Sequence, residues 1–162
     1  MNKLVNKEAK GFTIIEVVLV LAIAGLIFLV VFLALPALQR SQRDTQRKSD
    51  LGRMMSQITA YTANNQGVLP TAWGSSSAFM TSYMKSGGQS FSDPQSNSDY
   101  AITSKSTAAA ASGLTSGNIW VYPGFKCDST VTDGSGVSST GNTRQLAALI
   151  YQEQGGFYCQ NN

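Results

Sequence analysis

The sequence predicts an α+β chain: one long amino-terminal helix that protrudes in front and packs at its carboxy-terminal half on a small antiparallel sheet domain. Three observations predict this. Residues Val17–Gln39 carry no formal charge and are nearly all aliphatic or aromatic. Leu51, Met54, Met55, Ile58 and Tyr61 then recur at helical spacings of three and four, which makes a single apolar face. Beyond Pro70 the chain turns to short strand-like runs separated by Gly- and Ser-rich segments, the pattern of a small sheet.

Composition narrows the chemistry early. With 162 residues, 43% of them hydrophobic and 13% charged, the chain lies outside both the disordered and the multi-span membrane classes and has room for one modest domain. It contains no histidine and two cysteines, Cys127 and Cys159, so His-dependent triads, general-base histidines and multi-Cys zinc sites are excluded. The formal charge of +3 is located chiefly before and just after the apolar run, not on a nucleic-acid-binding face.

Residues 1–11 form a basic leader, with Lys3, Lys7 and Lys10 against Glu8. The uncharged run that follows is long enough, at about 1.5 Å per residue, to cross a hydrocarbon layer of ~30 Å. Apolar residues occupy every face, so this helix must be enclosed all round by lipid or by other protein. Gly25 lowers helix propensity and Pro36 removes a backbone donor, so either they bound a kink or melted turn or Gly25 allows close helix packing and Pro36 marks the end of the span. From Gln39 the sequence QRSQRDTQRKSD is polar on all faces, the helix continues through the apolar stripe, and it ends near Ala63 before Asn64-Asn65-Gln66-Gly67 and Pro70. The organisation is therefore 1–11 leader, 12–38 apolar helix, 39–63 amphipathic continuation and 64–162 globular α+β head.

In the head a short helix is expected around Ser76–Ser86, where Phe79, Met80, Tyr83 and Met84 share a face and Gly87-Gly88 terminates it. Strands are expected at Tyr100–Thr103, Ile119–Tyr122 and Leu146–Tyr151, with Gly155-Gly156 turning the last into a hairpin through Phe157-Tyr158-Cys159. The low-complexity stretch Ser104–Ser116 reads as a surface loop. The aromatic residues after position 71 are assigned to core packing rather than to a stacking platform.

The decisive motif is Lys10-Gly11-Phe12-Thr13-Ile14-Ile15-Glu16-Val17, placed where the leader meets the apolar run. Glu16 is the sole charge from Gly11 through Gln39. This G-F-T-x-x-E junction resembles the amino-terminal signature of type IV prepilins and of the related pseudopilins, over roughly residues 7–38. The resemblance implies the type IV pilin fold, cleavage by a prepilin peptidase between Gly11 and Phe12, N-methylation of Phe12, and burial of the helix in the core of a filament. Gly25 and Pro36 resemble the family's helix-breaking pair.

An unpaired carboxylate in an apolar bundle is costly, so Glu16 is expected to pair with the Phe12 amine of a neighbouring subunit and set the assembly register; the alternatives are a pairing with its own amine or a place at the membrane interface. Arg40, Arg43, Arg47, Lys48 and Arg53 follow the span and oppose simple positive-inside counting. A cytoplasmic leader is nevertheless expected, because long domains translocate with little regard to charge. Those basic residues are expected at filament interfaces, paired with Asp44 and Asp50 of neighbours, or on a solvated helix face near lipid headgroups.

Cys127 and Cys159 are expected to form one disulfide, resembling the carboxy-terminal disulfide loop of many type IV pilins. Asp128 and Asp133 lack the dense carboxylate spacing of a calcium site. No metal or cofactor is expected, and no catalysed reaction.

The function this implies is structural: a subunit of a type IV pilus, with adhesion, twitching motility or DNA uptake belonging to the fibre. The alternatives are a pseudopilin of a secretion or competence system, and an anchored or secreted binding domain. The implied partners are further copies of the chain, the membrane, the peptidase, and the assembly platform with its ATPase, without direct nucleic-acid binding. The implied location is the cytoplasmic membrane as precursor, then an extracellular filament.

Overall fold

The structure, a computed structural model, describes residues 11–162; the first ten residues of the basic leader lie outside the described residues. The chain divides between Gln39 and Arg40 into two compact units. Helix α1, Ile14–Asn64, contributes to both.

In the first unit α1 carries large apolar side chains that are exposed on every face from Ile14 to Leu38. The helix is continuous through Gly25 and Pro36, with no melted turn between them. Pro36 removes a single donor, and the neighbouring rungs of the ladder suffice to carry the helix past it.

In the second unit the amphipathic prediction holds. Leu51, Met54, Met55 and Ile58 are buried, each worth roughly 1.5–3 kcal/mol of apolar transfer. α1 ends in a Schellman-type closure. The Gly67 N–H donates to the Thr62 carbonyl at 2.7 Å, and Gln66 takes the left-handed conformation at φ 56° that this closure requires.

Six strands follow: β1 Ala101–Ser104, β2 Asn118–Pro123, β3 Phe125–Cys127, β4 Val137–Ser139, β5 Leu146–Tyr151 and β6 Phe157–Asn161. The main sheet has the order β1-β2-β5-β6, and β3-β4 form a separate two-stranded hairpin. β2-β5 and β5-β6 pair antiparallel, as expected, but β1 runs parallel to β2. The sheet is therefore mixed. The long connection from Lys105 to Gly117 crosses over instead of turning tightly, and a parallel neighbour requires such a connection.

β5 alternates between two cores. Leu146, Ala148 and Ile150 join the cluster that contains Leu51, Met54 and Ile58 of α1. Ala147 and Leu149 face a second cluster with Tyr122, Val137, Ala111 and Leu114. Both faces of the sheet are thus covered. The stretch 104–116 is more than a surface loop: its 3₁₀ turn Ala111–Gly113 lends Ala111 and Leu114 to this second core. The short helix around Phe79 is a π-helical turn, Met80–Met84, closed by the Lys85 N–H on the Met80 carbonyl at 2.8 Å. Trp73, Phe79 and Phe91 are buried in the main core, as packing predicted.

Candidate functional site

The amino-terminal end of α1 is built by a reciprocal cap. Thr13 and Glu16 stand at the N-cap and N3 positions, the T-x-x-E spacing of a capping box. The Thr13 N–H donates to Glu16 Oε2 at 2.9 Å, and the Thr13 hydroxyl donates to the same oxygen at 2.7 Å. The Glu16 N–H points back at Thr13 Oγ1, at 3.4 Å. With the Phe12 nitrogen an amide, the carboxylate is thus held within its own first turn. Sequence reasoning assigned Glu16 a partner on another subunit and missed Thr13, although the i,i+3 spacing was there to be read.

Phe12 is 89% exposed and, with Glu16, Val17, Val20 and Leu21, lines one apolar hollow along a helix face. α1 is long and apolar enough to cross a membrane, and none of its most apolar stretch is buried. Gly11 stands just ahead, with open space where a Cβ would project. Among the described residues, this end of the chain offers a carboxylate, an adjacent backbone nitrogen and an all-round apolar surface. Such a set can pair charges and pack helices.

The second polar centre lies where α1 enters the head, and it corrects the sequence expectation for the basic cluster. Three of those residues make ion pairs within their own chain. Arg47 is fully buried and pairs with Asp44, Asp93 and Glu153 at 3.2, 2.7 and 2.8 Å. Arg43 grips Glu153 with both Nε and Nη2, at 2.7 and 2.6 Å. Arg53 reaches Asp50 at 3.8 Å and donates to the Ser90 carbonyl at 2.7 Å. Lys48, exposed, lies over the Tyr158 ring at 5.5 Å, and Arg40 is exposed. The partners Asp93 and Glu153 come from distant loops, so no local pattern identified them.

The electrostatics follow from this geometry. Burial pushes the Asp93 carboxyl up, but the Arg47 guanidinium and the backbone N–H groups of Ser96 and Gln95 outweigh it and hold the group below its ordinary value. The bond from Arg43 lowers Glu153; burial opposes it, and Arg47 adds to the lowering. Asp50 behaves oppositely, because burial raises it further than the Tyr100 hydroxyl and Arg53 pull it down.

Cys127 on β3 and Cys159 on β6 are joined by a disulfide, with Cα atoms 5.8 Å apart. It ties the small hairpin to the edge of the main sheet. Asp128 accepts from the Thr130 hydroxyl and N–H, and Asp133 from the Ser135 N–H. Both carboxylates thus close local turns, and no cluster of metal-ligating side chains occurs among the described residues.

Comparison with known families finds the prokaryotic N-terminal methylation motif at residues 6–32. Curated proteins give no match to the chain, and solved structures give none either.

Proposed function

We propose, for a chain that carries the type IV prepilin leader signature, that it is a structural subunit of a type IV pilus and polymerises through α1. The single observation that supports this most strongly is the apolar surface of residues 14–38, exposed on every face, which the methylation motif at residues 6–32 enters and largely covers. Such a surface is satisfied by lipid before assembly and by sister helices after it. The carboxylate at its start gives the exchange a register.

In this reading a prepilin peptidase removes residues 1–11 by cutting between Gly11 and Phe12, and the new Phe12 amine is methylated. Residues 12–38 serve as membrane anchor and then filament core, 39–63 continue the helix, and 64–162 form the extracytoplasmic head. Glu16 exchanges its Thr13 bonds for the Phe12 amine of a neighbouring subunit, because a charge pair compensates a buried carboxylate better than neutral donors do. Gly25 and Pro36 are the positions at which the helix can bend during that transfer. An assembly platform and its ATPase supply the work, and adhesion, motility or DNA uptake are properties of the fibre.

The test is direct. The processed protein should begin at Phe12, and sheared surface fibres should contain it as a principal component. Glu16→Val should leave cleaved protein in the membrane while fibre yield falls sharply; normal fibre yield from that variant overturns the assembly role. Processed protein without long fibres would instead indicate a pseudopilin of a secretion system.

A further inference from the structure

The segment Arg40–Asp50 contains no apolar side chain, yet Asp44 and Arg47 within it are buried. The first buried apolar residue of α1 is Leu51. About three turns of helix are therefore held to the head by polar contacts. We infer that the network centred on Arg47 is a separable latch, which can release residues 40–50 of α1 while the apolar core from Leu51 onward stays intact.

The donors and acceptors support this. Arg47 uses all five of its N–H groups. Nε donates to Asp93, Nη1 to Asp44 and Glu153, and Nη2 to Gln95 and Ser116, at 2.7–3.2 Å. A guanidinium has five donors and no more, so this one is saturated by acceptors from α1, the Asp93–Ser96 turn, Ser116 and the β5–β6 turn. Asp44 completes the closure by accepting the backbone N–H groups of Glu153 and Gln154, at 2.8 and 3.0 Å.

A full set of bonds holds one geometry firmly. Loss of one partner leaves buried charge unpaired and weakens the others together. A solvent-facing hollow lined by Arg40, Gln95, Ser116, Tyr151 and Glu153 borders the network. Water can enter there to solvate the charges as they part. Apolar packing has no comparable route to release, so the polar turns and the core beneath Leu51 form two opening units.

The experiment is hydrogen exchange resolved by residue, on the full chain in detergent micelles, comparing the wild type with Asp44→Asn and Glu153→Gln. Both substitutions keep shape and remove charge. The expected result is that in the wild type residues 153–154 and 95–96 exchange at least about tenfold faster than residues 54–58 and 146–150, and that in each variant 153–154 and 95–96 exchange at least about tenfold faster still. Unchanged exchange at 153–154 in both variants overturns the latch. Wild-type exchange at 153–154 and 95–96 as slow as at 54–58 and 146–150 also overturns it, by showing one cooperative unit.

Discussion

Arg47 donates from Nε to Oδ1 of Asp93 at 2.7 Å across 46 positions of sequence, and neither side chain touches solvent. Removing one member of a buried pair strands the other, which typically costs about 3–5 kcal/mol. Asp93→Ala is expected to lower the unfolding free energy of the head by that order in a urea titration. Arg43→Ala, whose side chain is partly exposed, should lower it far less.

Acid should weaken the head. Asp93 and Glu153 have lowered values in the fold, so their contribution is fully present above the ordinary carboxylate range, about pH 4, and is lost as pH falls through the lowered values. Asp50, raised by burial, gains on protonation and offsets part of the loss. A thermal melting series should therefore show the midpoint dropping below about pH 4, and Glu153→Gln should make that drop shallower.

The Cys127–Cys159 bond spans a sequence separation of 32. In the loop-entropy account a closure of this size stabilises by roughly 3–4 kcal/mol. Replacing both cysteines with serine should lower stability by about that amount, and exchange should rise first in β3 and β6, the strands the bond joins, and in β4, which pairs with β3. A loss spread evenly through β2 and β5 would contradict this assignment.

Two glycines with similar backbones should separate cleanly. At Gly136, φ +68°, a Cβ would collide with the Phe157 ring at Cε2, whereas at Gly141, φ +67°, nothing lies within 4 Å. Gly141→Ala carries only the left-handed backbone cost of about 1 kcal/mol. Gly136→Ala adds overpacking and should cost about 2 kcal/mol or more, readable as the larger fall in melting temperature.

The cap at Thr13 gives a prediction for the membrane-competent end. Thr13→Ala removes the hydroxyl that bonds Glu16, and the first turn of α1 should fray, seen as faster exchange of the amides following Thr13 in micelles. Thr13→Ser should restore protection. If alanine and threonine behave alike, the reciprocal cap does not hold this turn.

Much of the fold was legible because its signals are local. The apolar run of Val17–Gln39, the stripe from Leu51 to Ile58 and the continuous apolar strand Leu146–Tyr151 each announce an element through composition or period. β3 and β4 were missed: each has three residues, too few for a period to register. The parallel placement of β1 was missed because strand polarity depends on the route of the connection, which leaves no mark in the strand itself. The motif at Gly11–Glu16 could be read; the Thr13 bond to Glu16, carried by the same T-x-x-E spacing, was not.

The sequence by itself determined that α1 begins as a rod no part of this chain has the composition to cover, because hydrophobicity on all faces is a property of neighbouring residues. Only the tertiary structure decided the fate of the charges that follow. Arg43 and Arg47 find carboxylates as many as 110 positions away, through loops brought to the helix by sheet topology. A charge records in sequence that it needs a partner; the fold decides which one, since pairing depends on distances set by the whole chain.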